Sequence, residues 1–265
     1  MSQTPAAPQI NGKMYLFERP ELLNKEQHGK LGLDNAAKPF SFCSKVRAIP
    51  LTISEVVEAA KYYPVVFYSQ DEPLPIAILG FNSDLNLFVD ENGNWDEHTY
   101  IPGYLRRYPF ALAGETGGGE RYALVFDAAY EGISPNAERK LFDNGELSEF
   151  SKRAMEFTST YEADRRLTER IMKELKKFSI IQPQTAQYTP AGETAPRTFA
   201  QYLGVDEQRL NQLTDEQFLE LRKMNVLAPI YAHLVSLSNW RSLIGRRMKR
   251  LNISESEAVT GQRPS

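Results

Sequence analysis

Length, composition and charge exclude several classes of protein. The chain has 265 residues, of which 42% are hydrophobic and 25% charged, a composition typical of a folded globular protein. Its formal net charge of -3 at pH 7 lacks the basic excess of proteins that bind nucleic acid, so we expect no nucleic-acid partner. The single cysteine, Cys43, excludes an internal disulfide and a cysteine-rich zinc site. We expect it to be a small buried hydrophobic residue.

The N-terminal residues predict no secretory signal. The first residues lack a basic stretch followed by an apolar one, and no run approaches the roughly 18 consecutive apolar residues of a membrane span. We therefore expect a cytoplasmic protein without a membrane-spanning segment. Residues 1–13 and 251–265 are polar or rich in Ala and Pro, and we expect disordered tails there.

Short apolar segments separated by turn residues dominate the N-terminal half. Runs of this length are typical of β-strands, and a short connection between two of them favours antiparallel pairing. The predicted strands are MYLF from Met14, FSFCSKVRAIP ending at Pro50, VVFYS from Val65, PIAILGF from Pro75 and NLFV from Asn86.

Helical segments alternate with these strands. A helical turn carrying His28 follows Pro20, and the segment 95–108 is helix-like. Between them we predict a helix capped by Thr52 or Ser54. Its predicted apolar face consists of Val56, Val57, Ala60 and Tyr63.

A hairpin follows at Phe110–Ala113 and Arg121–Phe126, and we expect it to join the same sheet. Its loop, GETGGGE, supplies glycines for the reversal of the chain. A phosphate-binding loop is the alternative, but the Lys-Ser/Thr pair that ends such a loop is missing. Residues 128–146 are irregular and polar, and are the predicted position of any subdomain boundary.

The C-terminal half is mainly helical. A long helix begins near Glu146, capped by Asn144 or supported by Glu146 itself, and its charged residues predict a solvated surface with salt bridges. Two short strands, IIQPQ and TFAQYLGV, separate it from a helix capped by Thr214, and the last helix begins at Leu227. The predicted apolar positions of the long helix are Leu147, Phe150, Ala154, Phe157, Tyr161, Leu167, Ile171, Leu175 and Phe178, and those of the last helix are Leu227, Ile230, Tyr231, Leu234, Leu237, Leu243, Ile244 and Met248.

These elements together predict an α+β fold. A mainly antiparallel sheet from the N-terminal half packs against the long C-terminal helices, in a single domain over residues 14–250. Two domains divided within 128–146 are the alternative.

Catalytic and metal-binding patterns are missing from the sequence. The histidines His28, His98 and His233 have no partner at metal-ligand spacing, so we expect no metal and no cofactor. No pair of catalytic groups is visible, which favours a protein that is not an enzyme. We expect His233 to be buried and hydrogen-bonded, with a role as a catalytic base or in ligand binding as the alternative.

The segment Tyr100–Phe110 is the best candidate for a binding site. Arg106 and Arg107 lie between Tyr104 and Tyr108, and an arginine fork beside aromatic rings suits a carboxylate or a phosphate. If the chain has a ligand or partner site, we predict that Arg106 or Arg107 contacts an anionic group there, with Tyr104, Tyr108 or Trp95 as the aromatic wall. For the arginines the sequence favours a structural role, in which one of them ties the turn to Asp96 or Asp127, and core packing is the competing explanation for the tyrosines.

Five blocks between about Met14 and about Arg246 resemble the bacterial SapC family, named for a protein associated with surface-layer formation. The like-named permease of a peptide transporter is a different protein, with spanning helices that this chain lacks. The blocks are ELLNKEQHG, AIPLTISEVVEAAKYYPVVF, NLFVDENGNWDEHTYIPGYLRRYPFALA, LFDNGE and LAPIYAHLVSLSNWRSLI.

The resemblance implies a soluble, non-catalytic accessory or binding protein. Its expected role is in the assembly or export of a surface protein, or in handling a small molecule or modified peptide. Similar proteins are encoded near halogenase-like and oxygenase-like proteins, which implies the alternative of a tailoring enzyme acting on a peptide or an aromatic metabolite. The expected partner is a protein or peptide, or a small anionic or aromatic ligand.

Overall fold

The computed structural model describes residues 14–81, 85–114, 122–189, 192 and 194–260. The α+β class is confirmed, because helices make up 39% and antiparallel sheets 23% of the structure. Within the described ranges, none of the helices has both the length and the apolarity needed to cross a membrane. The predicted tail at 1–13 and the GETGGGE loop beyond Gly114 lie outside these ranges.

The strands are short and pair antiparallel throughout the described sheets. They are β1 (Pro20–Leu22), β2 (Gly32–Leu33), β3 (Ala48–Pro50), β4 (Val65–Phe67), β5 (Pro75–Ile78), β6 (Phe110–Gly114), β7 (Tyr122–Asp127), β8 (Ile133–Ser134), β9 (Arg139–Lys140), β10 (Phe142–Asp143), β11 (Glu146–Leu147), β12 (Ile181–Tyr188) and β13 (Arg197–Val205).

The α-helices lengthen toward the C-terminal half, as predicted. They are α1 (Lys25–His28), α2 (Val56–Ala59), α3 (Gly103–Arg106), α4 (Glu149–Leu175), α5 (Glu207–Asn211), α6 (Asp215–Lys223), α7 (Leu227–Ser236), α8 (Asn239–Leu251) and α9 (Glu255–Thr260).

The chain forms two compact units. Unit 1 comprises Met1–Phe42 and Leu105–Glu162, and unit 2 comprises Cys43–Tyr104 and Ala163–Ser265. The segment 128–146 lies inside unit 1. That the chain folds as a single domain stays a prediction, and limited proteolysis within 128–146 tests it, since a single domain requires both fragments to unfold.

Unit 1 is built on the sheet β1-β7-β6, beside the small sheet β8-β2-β9 and the hairpin β10-β11. The predicted β6-β7 hairpin is confirmed, but it pairs with β1 and does not join the sheet of β4 and β5. The predicted strand MYLF is wrong. Its Leu16 has φ 71°, a turn conformation that a strand does not contain.

The start of α4 also differs from the prediction. Asn144 and Gly145 have φ of 47° and 82°, because they form the turn of the β10-β11 hairpin and cannot cap the helix. Ser148 has that role, since its hydroxyl accepts the backbone N–H of Ser151 at 3.2 Å.

Unit 2 contains the sheet β12-β13-β4-β5-β3, whose apolar cluster is completed by side chains from α4 to α7. The predicted antiparallel pair β4-β5 is confirmed, and the two strands predicted at IIQPQ and TFAQYLGV also pair antiparallel as β12 and β13. The predicted strand at NLFV is wrong, because Val89 forms only an isolated bridge with Trp95. Ser41–Cys43 is a short 3-10 helix where a strand was predicted, and Asn86 holds its end by donating to the Cys43 carbonyl at 3.1 Å.

Several helix predictions need correction. The helix-like segment 95–108 is helical only in α3, and the last helix is divided into α7 and α8 by a turn with i→i+3 hydrogen bonds. The predicted tail at 251–265 contains α9, whose Ala258 and Val259 pack against Ile244. Three predicted apolar positions are exposed, namely Val57 (45%), Leu167 (41%) and Tyr231 (48%).

Candidate functional site

Glu55 is a buried carboxylate that the sequence places only in the first turn of a helix. Its Oε1 accepts the Tyr100 hydroxyl at 2.8 Å and the Gly103 backbone N–H at 2.5 Å. Its Oε2 accepts the backbone N–H of Thr52 at 2.9 Å and the Thr52 hydroxyl at 3.0 Å. Both oxygens are engaged, so Glu55 joins the start of α2 to the segment that leads into α3.

Asp127 has the same role in unit 1, where it is fully buried. Its carboxylate accepts the backbone N–H groups of Glu18, Arg19 and Ala129 at 2.9 to 3.1 Å and the Tyr108 hydroxyl at 3.0 Å. Burial, reinforced by the charge of Asp127, raises the pKa of Tyr108 well above its usual value. The predicted site residue Tyr108 therefore holds the end of β7.

Arg106 and Arg107 meet aromatic rings of α4. The Arg106 guanidinium lies 5.3 Å from the ring centroid of Phe157, and that of Arg107 lies 5.1 Å from the ring centroid of Tyr161. Arg106 is exposed and Arg107 half-buried. Both distances suit cation–π contacts, and the rings of these two contacts belong to α4, whereas the prediction named Tyr104, Tyr108 or Trp95.

The remaining predicted site residues, Tyr104, Trp95 and His233, belong to unit 2. Trp95 is buried, stacks on Phe88 with centroids 6.1 Å apart, and donates its Nε1–H to Thr99 at 2.9 Å. These contacts place the Trp95 ring in the packed interior of the unit.

His233 is completely buried, with both ring nitrogens bonded to the backbone. Its Nδ1–H donates to the Val65 carbonyl at 2.6 Å, and its Nε2 accepts the Val205 N–H at 3.0 Å. Burial lowers its pKa to about 4, opposed by the bond to Val65. The predicted buried, hydrogen-bonded histidine is therefore found, and its predicted part in ligand binding gains no support from this geometry.

Cys43 is the buried residue that the sequence predicts. Its side chain is fully inaccessible, and burial raises the pKa of the thiol to about 12. A thiol in this environment stays protonated at neutral pH and is a poor nucleophile.

A second group of buried polar atoms, which was not predicted from the sequence, lies on α8. Arg247 is 1% exposed, and Trp240 on the same helix is also buried. Within the part of the chain that the structure describes, the Arg247 Nε and Nη2 and the Trp240 Nε1 have no hydrogen-bond partner. The signal was available, because Arg247 continues the apolar spacing of Trp240, Leu243 and Ile244 at i, i+3, i+4 and i+7.

The described residues contain no group of three or more His, Cys, Asp and Glu side chains placed to hold a metal ion.

Two surface depressions are lined by residues of unit 2. One, of about 480 Å³, lies beside Leu74, Met172 and Lys173, and the other, of about 370 Å³, lies beside Leu210 and Leu234.

Comparison with known proteins identifies a family. The family model described as SapC matches residues 23–243. Neither the curated proteins nor the solved structures contain a match to this chain.

Proposed function

This chain belongs to the SapC family, and from that premise and the state of its buried polar groups we propose that it is a non-catalytic binding protein. A role as an accessory to surface-protein assembly or to the handling of a small molecule or peptide agrees with this proposal. The expected ligand is anionic or aromatic, or a peptide with such a group.

One observation carries the proposal: four buried groups of the kinds that enzymes use as bases or nucleophiles, namely Glu55, Asp127, His233 and Cys43, are bonded within the fold or inaccessible. Glu55 and Asp127 each accept four hydrogen bonds. His233 bonds to backbone at both nitrogens, and the Cys43 thiol is inaccessible. A general base or nucleophile needs a lone pair directed at a substrate, and none of these four groups offers one.

Arg106 and Arg107 remain the proposed contact for an anionic partner in unit 1. Two observations support this: Arg106 is an exposed residue, and its guanidinium lies 5.3 Å from the Phe157 ring centroid. Arginine placed beside aromatic rings is enriched where proteins bind their partners.

A combined binding and turnover assay tests the proposal. The purified protein is screened by thermal shift against aromatic carboxylates, their amides and short peptides, and each mixture is then analysed by mass spectrometry. A binding protein shows an increase in melting temperature with at least one compound and returns every compound unchanged, since a ligand at 100 times its Kd stabilises the fold by about 2.7 kcal/mol. Chemical conversion of a compound, with loss of conversion in a variant of a buried polar group, would contradict the proposal.

A further inference from the structure

Arg247 and Trp240 adjoin the same aromatic ring. They are seven residues apart on α8, which places them on one face of the helix, two turns apart. The Arg247 guanidinium lies 5.7 Å from the ring centroid of Phe81, and the Trp240 ring centroid lies 6.0 Å from it. Two side chains that carry N–H donors therefore lie close to Phe81.

Only part of the Arg247 guanidinium is hydrogen-bonded. Its Nη1 donates to the carbonyl of Ala258 in α9. Its Nε and Nη2 are buried and have no hydrogen-bond partner among the described residues. These two nitrogens form one edge of the guanidinium, on which two N–H bonds run parallel and match the two oxygens of a carboxylate.

A buried cation with one edge unsatisfied is costly, because burial removes water that would otherwise bond to the edge. The lowered pKa of Arg247, caused by burial, reflects this cost. The indole N–H of Trp240 is likewise buried without a partner in the described part of the chain. Three donor atoms near one ring therefore lack an acceptor.

Further aromatic rings lie beside this group. The ring centroid of Phe199 lies 6.0 Å from that of Phe81 and 5.6 Å from that of Trp240, and Tyr202 lies 5.9 Å from Trp240. Phe81, Phe199 and Tyr202 are each only half-buried. These three aromatic residues beside the donors are therefore partly accessible.

We propose that Arg247 and Trp240 bind the carboxylate of a small aromatic acid, with Phe81, Phe199 and Tyr202 packing against its ring. The carboxylate follows from the geometry of the Nε–Nη2 edge, and the aromatic body follows from the half-buried rings beside it. This inference rests on the proposed binding function and adds to it the site and the chemical class of the ligand.

Calorimetric titration with phenylacetate tests the site, with phenylacetamide and acetate as matched probes that lack the charge or the ring. The variant Arg247→Lys keeps the positive charge and removes the Nε–Nη2 edge of the guanidinium. The variant Trp240→Phe removes the indole N–H and keeps an aromatic ring. Arg241→Lys is the control, because Arg241 is an exposed arginine of the same helix. Circular dichroism and melting curves establish that each variant is folded.

We expect phenylacetate to bind at least about tenfold more tightly than either matched probe, since each probe loses one part of the recognition. We expect Arg247→Lys to weaken phenylacetate binding by about tenfold or more, Trp240→Phe to weaken it by less, and Arg241→Lys to leave it unchanged. If the wild type binds phenylacetate and Arg247→Lys binds it equally, the site is wrong while the proposed function stands. If the folded wild type binds phenylacetate no better than acetate, the ligand class is wrong.

An acid of the chain itself is the competing occupant. Asp84 lies outside the described residues, three positions after Phe81. On our proposal, Asp84→Asn leaves both phenylacetate affinity and melting temperature close to those of the wild type. If Asp84→Asn lowers the melting temperature as much as Arg247→Lys does and creates phenylacetate binding that the wild type lacks, the edge belongs to an internal ion pair and the proposal is overturned.

Discussion

Two regions of unit 2 bury a charged side chain in opposite ways. Glu55 accepts four hydrogen bonds, from Thr52, Tyr100 and Gly103, and both of its oxygens are engaged. Arg247 is buried more completely, yet one edge of its guanidinium has no partner within the described residues. The comparison separates two uses of buried charge: a satisfied group joins segments of the fold, whereas an unsatisfied one is suited to receive a ligand.

The largest effect is expected at Asp127, the counterpart of Glu55 in unit 1. Asp127→Ala leaves three backbone N–H groups and the Tyr108 hydroxyl without their acceptor. We expect the free energy of unfolding to fall by about 4 kcal/mol, measured by urea denaturation. Asp143→Ala, at an exposed hairpin position, is the control. A loss no larger than that of the control would show that the satisfied carboxylates are not structural.

His233 provides a pH-dependent test of the same idea. Its pKa is about 4 in the folded protein and near 6.5 when unfolded. As the pH falls from 6.5 to 4, the unfolded chain takes up a proton that the folded protein does not. The free energy of unfolding therefore falls by about 3 kcal/mol over this range, and the stability is fully present above pH 6.5.

Denaturation curves are measured across this pH range for the wild type and for His233→Gln. The contribution of His233 is the difference between the two proteins in how steeply the free energy of unfolding changes with pH. His98→Gln is the control, because the His98 side chain is 86% exposed. The interpretation fails if the wild type and His233→Gln lose stability in parallel as the pH is lowered.

A smaller effect is expected for Glu55→Gln. The amide keeps one acceptor oxygen, but an NH2 group replaces the other carboxylate oxygen. That NH2 group then faces hydrogen-bond donors, either those of Thr52 or those of Tyr100 and Gly103, and cannot accept from them. We expect a loss of about 2 kcal/mol in the free energy of unfolding by urea denaturation, against almost none for the exposed Glu91→Gln. If the two variants are equally stable, the hydrogen bonds of Glu55 do not stabilise the fold.

The smallest effect on stability is expected at Arg106 and Arg107. Replacing each in turn with Lys keeps the charge and weakens the contact with Phe157 or Tyr161, at a cost of about 0.5 kcal/mol in the free energy of unfolding. On the binding account, one replacement also weakens ligand or partner binding while the melting temperature hardly changes. A loss well above about 0.5 kcal/mol in both variants, with unchanged binding, would make these arginines structural.

Much of the fold could be predicted because local patterns dominate it. VVF and PIAI form a hairpin that apolar runs and a short connection specify. Thr214 caps its helix as predicted, and it exchanges hydrogen bonds with Gln217. The strand predicted at NLFV does not form, because an apolar run is equally compatible with a buried loop. The Asn86 side chain holds that loop by donating to the Cys43 carbonyl and accepting the Phe88 N–H.

The candidate site was harder to predict, because its partners are distant in sequence. Asp127 meets the backbone of Glu18 and Arg19, more than 100 positions earlier, and no spacing rule connects them. Asp96, expected to pair with Arg106 or Arg107, pairs with Arg246 at 2.7 Å. Arg247 does carry a local signal, because it is a charged residue at an apolar position of the helix. However, a cation near a helix C-terminus is also favoured by the helix dipole, which explains Arg247 equally well without a binding role.

The state of the Arg247 Nε–H tests the central claim most directly. Its proton–nitrogen NMR signal, assigned by its loss in Arg247→Lys, is followed during titration with phenylacetate and, separately, with phenylacetamide. We predict that phenylacetate moves the signal downfield until it saturates, because the Nε–H gains an ionised acceptor, and that phenylacetamide moves it far less. A signal that stays in place while phenylacetate saturates the protein would contradict the claim that this unsatisfied edge receives the ligand.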